Sequence, residues 1–172
     1  MFVANHASWN DIPYIGVTIG WRNYKFVGKK ELLKVPILGS AISIAGHILL
    51  DWKDRASNLL AVKKGINWLK TGVHLITFPE GTRSRDGKLL RFKNGAFKMA
   101  VKAGAPVVPI SIVNAHKVMP PDWMMPFRLS RGIAKVIVHK PVETEGKTEE
   151  DVAVEVRNAI ISGLPPEQQP AT

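Results

Sequence analysis

Short apolar runs rich in β-forming residues alternate with helix-like stretches along almost the whole chain. Strands that alternate with helices in this way form parallel sheets covered by helices on their faces. Several runs are apolar at consecutive positions, as expected for strands buried on both faces. The sequence therefore predicts an α/β fold, a single domain with a largely parallel central sheet flanked by helices. The six predicted strands are residues 1–4, 24–27, 47–50, 74–77, 107–113 and 134–138.

The intervening stretches predict helices over residues 55–70, 94–103 and 148–163, and a buried helix followed by a strand over residues 35–50. In the first of these, apolar side chains recur at helical spacing, which predicts a stripe that faces the core. These side chains are Ala56, Leu59, Val62, Ile66 and Leu69. Residues 1–163 are expected to form the domain. The Pro- and Gln-rich segment 164–172 is expected to be a flexible C-terminal tail.

Charge and composition limit the classes of function. The net charge of +10 predicts an anionic partner, which is a nucleic acid, an anionic membrane surface or a phosphorylated metabolite. No aromatic-studded RNA motif or recognition-helix pattern is present, so we expect no nucleic-acid partner. The chain has no cysteine, which excludes disulfides, thiolate metal sites and a cysteine nucleophile. No histidines or carboxylates have metal-site spacing, and we expect no metal.

Polar residues follow three predicted strands directly. They are Asn5 with His6, then Asp51, and then the loop 79–83. Because the carboxyl ends of parallel strands share one edge of a sheet, these groups are expected to converge there.

His6 and Asp11 are separated by four residues, and this spacing alone is a weak motif. The pair can meet if His6 lies in the loop after the strand and Asp11 in the first turn of the next helix, with Ser8 or Asn10 as the cap. Asp11 would then fix the tautomer of His6, and the imidazole could accept a proton from a hydroxyl. The alternative is that each residue makes only local hydrogen bonds.

The segment 80–84, Glu-Gly-Thr-Arg-Ser, suits an anion. Gly81 allows close approach of the backbone, Thr82 offers donors, and Arg83 can bind two phosphate oxygens. Glu80 could hold a substrate hydroxyl. A solvated turn is the alternative interpretation. Arg91 and Lys93 precede a predicted helix N-terminus and are either phosphate ligands or a charged loop.

Four segments in order, residues 5–11, 46–55, 78–83 and 107–110, resemble the motifs of the 1-acylglycerol-3-phosphate (lysophosphatidate) acyltransferase family, particularly its bacterial and plastid members. The resemblance implies transfer of a fatty acyl group from acyl-CoA or acyl-carrier-protein to the sn-2 hydroxyl of lysophosphatidate, giving phosphatidate. It implies a general base at His6, oriented by Asp11, and glycerol-phosphate ligands at residues 80–83. No cofactor is expected besides the acyl thioester. Glycerol-3-phosphate or another lysophospholipid as acceptor, or a non-catalytic lipid-binding module, are the alternatives.

Two features depart from the family pattern. Trp52 follows Asp51 where the family usually has arginine, and Arg55 or Lys53 is expected to replace it as a phosphate ligand. The chain also begins almost at the first motif, without the N-terminal hydrophobic helices of many members. We therefore expect peripheral association with a bacterial inner membrane or a plastid membrane. The segment 120–128 and, more weakly, Trp21–Arg22 are candidate contacts with the anionic membrane surface, although core packing explains them equally well.

Overall fold

The computed structural model describes residues 1–20, 23–51, 53–120 and 132–170. Within them, six strands form one sheet: β1 (Phe2–Ala4), β2 (Tyr24–Lys29), β3 (Ile48–Leu50), β4 (His74–Thr77), β5 (Val108–Val113) and β6 (Lys135–Val138). Their order across the sheet is β3-β2-β4-β1-β5-β6. All neighbouring pairs are parallel except β5 and β6, which are antiparallel. The predicted α/β fold with a largely parallel sheet is confirmed.

The helices connect these strands, and two of them, α3 and α6, begin at a side-chain cap. They are α1 (Asp11–Thr18), α2 (Leu38–Ile44), α3 (Arg55–Lys70), α4 (Gly95–Ala103), α5 (Ala115–Val118) and α6 (Glu149–Gly163), with 3₁₀ turns at Lys30–Lys34 and Pro166–Gln168. Asp54 caps α3 by accepting a hydrogen bond from the backbone N–H of Ser57. Thr148 and Asp151 form a capping box at α6. These caps explain why α3 and α6 begin within one residue of the predicted positions.

The sheet lies between two layers of helices. Leu75 and Ile76 are adjacent in β4 and both are fully buried, so their side chains point to opposite faces. Leu75 belongs to a core cluster that includes residues of α3, α4 and α6, whereas Ile76 belongs to one that includes Ile15 of α1 and Ile42 of α2. The central strands are therefore buried on both faces, as their consecutive apolar residues predicted.

The predicted apolar stripe of α3 is confirmed at Leu69, which packs against the core, and wrong at Ala56 and Leu59, which are exposed. The buried residues of the helix are Ala61 and Gly65, whereas Leu59 is 57% exposed. Helices α3 and α4 approach closely: a Cβ atom on Gly65 would lie 2.5 Å from the sulfur of Met99. Small residues therefore occupy the interface, and the larger apolar residue Leu59 lies outside it.

Helix α2 and strand β3 occur where the sequence predicted a buried helix followed by a strand, but α2 is not a buried helix. Ile37, its N-cap residue, and Ile44, its last residue, are both 89% exposed. None of the helices in the described part of the chain has the length and hydropathy of a transmembrane segment. Except for Pro120, the candidate membrane contacts at 120–128 and at Trp21–Arg22 lie outside the described residues.

The C-terminal segment is ordered against the domain, so the expected flexible tail is wrong for residues 164–170. Leu164 packs in the core, and Gln168 is fully buried. Gln168 also makes hydrogen bonds to residues far away in the sequence, including Asn114 and Leu89. A buried glutamine with satisfied hydrogen bonds anchors the segment.

Candidate active site

His6 and Asp11 meet at the end of β1. His6 lies in the loop after the strand, and Asp11 is the first residue of α1. The Nδ1 atom of His6 lies 2.7 Å from Oδ2 of Asp11. The same oxygen accepts the backbone N–H groups of Ala7 and Ser8, each at 2.8 Å. Asp11 is fully buried, and the three contacts to its Oδ2 atom hold the carboxylate in one position.

These contacts define the hydrogen-bonding state of His6. A carboxylate that already accepts two N–H groups favours the tautomer in which Nδ1 of His6 carries the proton. The second ring nitrogen, Nε2, is then an acceptor. The ring of His6 stacks on Phe78, with a centroid distance of 4.1 Å, and its side chain keeps 20% exposure. The predicted meeting of the pair is confirmed, although neither predicted side chain caps α1: Asn10 makes no capping hydrogen bond, and Ser8 accepts from the Asn10 backbone instead.

Glu80 is a structural residue in this geometry, and the expectation that it holds a substrate hydroxyl is wrong. Its Oε1 accepts the backbone N–H of His6 at 2.7 Å, and its Oε2 accepts that of Leu90 at 2.8 Å. The side chain is 4% exposed and does not line the cavity described below. The loop after Glu80 is hydrogen-bonded to the same backbone, because Ser84 donates its N–H to the carbonyl of His6. Glu80 thus fixes the backbone that carries the histidine.

Burial raises the pKa of the Glu80 carboxyl from its ordinary value of 4.5 to about 7. The backbone N–H groups of Leu90 and His6 act in the opposite direction, as does the more distant Arg157 guanidinium, whereas the Asp11 carboxylate adds to the rise. Removing the carboxyl from water therefore has the largest effect on this group.

This shift predicts a pH-dependent stability. Between about pH 4.5 and 7 the folded protein binds more protons at Glu80 than the unfolded chain does, so the contribution of Glu80 is complete below this window and is lost as the pH rises through it. We expect the difference in unfolding free energy between the wild type and Glu80→Gln to fall by about 3 kcal/mol across the window. Denaturant titrations at several pH values would measure it.

The difference between the two proteins is the informative quantity. Burial lowers the pKa of His47, His116 and His139, and these groups change the stability in the opposite direction as the pH rises. Their contributions are common to both proteins and cancel in the difference. A difference that does not vary with pH would contradict the assignment of the raised pKa to Glu80.

A cavity of about 230 Å³ opens beside His6. It is far larger than a single buried water requires, so it can hold a ligand. Its wall is contributed by β2, β3, β4, α3, α4, the 3₁₀ turn at Lys30–Lys34 and the loops after β1 and β4, and it is mainly apolar. The larger aliphatic and thioether side chains on this wall include Val27, Leu32, Ile48, Leu50, Val62 and Met99.

The cavity wall also carries positive charge. The formally charged residues that line it in the described part of the chain are Lys29, Arg83 and Lys93. The guanidinium of Arg83 lies 3.8 Å from the ring centroid of Trp9, close enough for a cation–π interaction that holds it in place. Gly81 has a φ of +70°, and a Cβ atom there would lie 3.0 Å from Nζ of Lys93. Gly81 therefore permits both the turn and the close approach of the lysine.

The structure brings most of the predicted site residues together. His6, Gly81, Thr82, Arg83 and Lys93 all line the cavity.

Arg55 and Lys53 do not join them, so the expected replacement of the family arginine by either residue is wrong. Both side chains are exposed and neither lines the cavity. The cap at Asp54 starts α3 at Arg55, and the helix reaches the cavity only at Ala61 and Val62. Asp51 likewise does not line the cavity. Its Oδ2 atom lies 3.4 Å from Nζ of Lys30, and its Oδ1 atom accepts the backbone N–H of Lys53.

Among the lining residues that the sequence did not predict, three carry a charge or a polar hydrogen-bond donor: Lys29, Trp9 and Thr77. Lys29 is the last residue of β2, and its position at a strand exit would have identified it if the strand had been extended by two residues. Trp9 and Thr77 both line the cavity. Nε1 of Trp9 and Oγ1 of Thr77 are buried hydrogen-bond donors that have no partner among the described residues. No local pattern distinguishes such donors from ordinary core groups.

The arrangement combines three chemical capacities. A carboxylate-held imidazole can accept a proton, cationic side chains on the cavity wall can bind a multiply charged anion, and apolar side chains on the same wall can hold a hydrocarbon chain. The combination suits a reaction at a hydroxyl group of an amphipathic phosphate.

Comparison with known proteins points in the same direction. The model of a family described as Acyltransferase matches residues 1–113. A chloroplastic 1-acyl-sn-glycerol-3-phosphate acyltransferase of Brassica napus is 37% identical over 164 residues, which cover 95% of this chain and 46% of the relative. The corresponding enzyme of Salmonella typhimurium is 33% identical over 144 residues, covering 83% of this chain and 56% of the relative.

A solved structure is also similar. The crystal structure of the 1-acyl-sn-glycerophosphate acyltransferase PlsC from Thermotoga maritima matches with a TM-score of 0.77 and 35% identity, covering 94% of this chain and 63% of that chain. The chain spans about half the length of the curated relatives that it matches.

Proposed function

Because the chain belongs to the acyltransferase family, as its motifs indicated, we propose that it transfers a fatty acyl group from a thioester to the sn-2 hydroxyl of 1-acylglycerol-3-phosphate, giving phosphatidate. The observation that carries this proposal is the position of His6, held by Asp11, at the wall of a mainly apolar cavity that Lys29, Arg83 and Lys93 also line. Lysophosphatidate has a hydroxyl, a phosphate and a hydrocarbon chain, and each has a matching group in the cavity.

The proposed chemistry is a direct transfer. Nε2 of His6 accepts the proton of the acceptor hydroxyl while its oxygen attacks the thioester carbonyl carbon. The C–S bond then breaks, and the thiolate leaves and takes the proton from the imidazolium. Asp11 stabilises the transient positive charge of His6, and Glu80 positions the backbone of the histidine. Neither an acyl-enzyme nor a cofactor besides the thioester is needed.

The attack forms a tetrahedral oxyanion that needs hydrogen-bond donors. Trp9 Nε1 and Thr77 Oγ1 are the candidates, since both are buried donors of cavity-lining residues and lack a partner among the described residues. Arg83, Lys93 and Lys29 are the proposed phosphate ligands, with Gly81 and Thr82 shaping the loop beside them. The apolar wall is proposed to hold an acyl chain.

The acyl donor is proposed to be acyl-CoA or acyl-carrier-protein, and the protein is proposed to work at an anionic membrane, bacterial or plastid, where its lipid acceptor resides. Exposed isoleucines at both ends of α2, Ile37 and Ile44, together with the net charge of +10, support contact with such a surface.

The experiment that tests the function measures thiol release with each donor and each of three acceptors: lysophosphatidate, glycerol-3-phosphate and lysophosphatidylcholine. We expect the highest kcat/KM with lysophosphatidate, because only this acceptor offers both an unshielded phosphate and a hydrocarbon chain. A preference for glycerol-3-phosphate or for the zwitterionic lipid would replace the proposed acceptor. Binding of lysophosphatidate without thiol release in any combination would indicate a lipid-binding module and contradict the enzymatic proposal.

A further inference from the structure

The segment after α6 packs against the loop at residues 87–90, which follows Arg83 in the chain. Gln168, in the 3₁₀ turn Pro166–Gln168, is fully buried. Its side-chain Nε2 donates to the carbonyl of Gly87 at 3.3 Å, and its Oε1 accepts the N–H of Asn114 at 2.9 Å. Its main-chain carbonyl accepts the N–H of Leu89 at 2.9 Å. One residue of the C-terminal segment is therefore bonded to two separate parts of the chain, the loop at 87–89 and Asn114.

The loop held by Gln168 is connected to the histidine. Leu90, next to Leu89, donates its backbone N–H to Oε2 of Glu80, and the other oxygen of Glu80 accepts the N–H of His6. The hydrogen bonds thus run from Gln168 through residues 87–90 to Glu80 and His6. Every connection is between groups that are buried or partly buried, where hydrogen bonds hold geometry most effectively.

Helix α6 holds the same loop from a second position. Nη1 of Arg157 donates to the carbonyl of Leu90 at 2.6 Å, and its guanidinium lies 5.1 Å from the ring centroid of Phe92. Both polar groups of the Leu90 backbone are therefore used, one by Glu80 and one by Arg157. The loop is fixed from the helix as well as from the segment beyond it.

We propose that Gln168 is a positioning residue for the acyl transfer, acting through residues 87–90 and Glu80 on the backbone of His6. The expected effect on catalysis rests on the proposed function. The hydrogen-bonded path from Gln168 to His6 does not depend on it. A hydroxyl attack requires the base to lie within hydrogen-bond distance of the acceptor, and small displacements of a catalytic group reduce the rate strongly. Loosening the loop therefore lowers kcat before it affects binding of the acceptor.

The test compares Gln168→Met with Gln169→Met. Methionine keeps the approximate volume of glutamine and removes its side-chain hydrogen bonds. Gln169 is the matched control because it is the next residue and its Nε2 donates only to the carbonyls of Ile161 and Leu164, away from the loop. Ser111→Ala is a stability control, since the Ser111 hydroxyl bonds His139 and Ile160 and lies outside this network.

Two readouts separate the connection from its consequence. We expect Gln168→Met to exchange the Leu89 and Leu90 amide hydrogens at least tenfold faster than Gln169→Met. We also expect it to lower kcat about tenfold with the acceptor KM within twofold, whereas Ser111→Ala keeps its kcat below its melting temperature. Exchange and kcat equal to those of Gln169→Met would overturn the proposal, as would a kcat loss matched by Ser111→Ala at equal stability. If the wild type transfers no acyl group, the proposed function fails, and the exchange rates still decide the connection.

Discussion

Replacing His6 by alanine is expected to lower kcat about a thousandfold, with little change in the KM of the acceptor. The imidazole is the group in the cavity wall that a buried carboxylate holds in a proton-accepting state, through the 2.7 Å contact between Nδ1 and Asp11. General-base assistance of this kind contributes on the order of 100- to 10,000-fold to a rate. Steady-state thiol release with lysophosphatidate as acceptor would measure the loss.

A histidine at the opposite end of the sheet provides the control. His74 begins β4, and its ring makes an edge contact with Phe2. His74→Ala is expected to retain wild-type kcat. Asp11→Asn should lower kcat by about a hundredfold, because the amide disfavours the required tautomer and leaves the imidazolium without its counter-charge. Turnover of His6→Ala within threefold of the wild type would remove the histidine from the mechanism.

Replacing Arg83 by methionine is expected to lower kcat/KM for lysophosphatidate by about a hundredfold, mostly through KM. A charge-assisted hydrogen bond contributes roughly 1.5–3 kcal/mol, which corresponds to a factor of about 10 to 150. The guanidinium is held over Trp9 beside the cavity, so little entropy is lost when it binds a phosphate. Kinetics at several acceptor concentrations would separate KM from kcat.

Arg91→Met is the matched control for this prediction. It removes the same charge from an exposed side chain that does not line the cavity, and it should leave KM nearly unchanged. Equal effects of the two substitutions would mean that overall positive charge, rather than a phosphate site at Arg83, attracts the acceptor.

The sequence predicted the strands and the principal helices because these depend on local patterns. Consecutive apolar residues marked β4, and apolar residues at helical spacing marked α3. The orientation of α3 was not predictable, since it depends on how closely Gly65 approaches Met99 in another helix. Segment 164–170 was misjudged for a related reason: its Pro- and Gln-rich composition is typical of a tail, but Gln168 is anchored by groups about 54 to 81 positions away.

In the candidate site, too, the positions of residues in local patterns were predicted correctly, and those that depend on distant contacts were not. His6 and Asp11 were recognisable because both lie within one strand exit and helix start, and Arg83 because it lies in a short glycine-containing loop. The role of Glu80 was predicted wrongly, because a carboxylate next to a glycine in a loop is typically exposed to solvent. The hydrogen bonds that it accepts from the backbone of His6 and Leu90 are visible only in the structure. Arg55 was proposed from its nearness in sequence to Asp51, and its position in α3 keeps it off the cavity wall.

The most direct test of the mechanism is the identity of the product. The wild-type protein and His6→Ala would be incubated in parallel, each with lysophosphatidate and an acyl thioester. The lipids would then be analysed by mass spectrometry. We predict one molecule of phosphatidate for each thiol released by the wild type, and almost none with the variant. Thiol release without an acylated acceptor, or equal phosphatidate formation by the variant, would contradict a direct transfer assisted by His6.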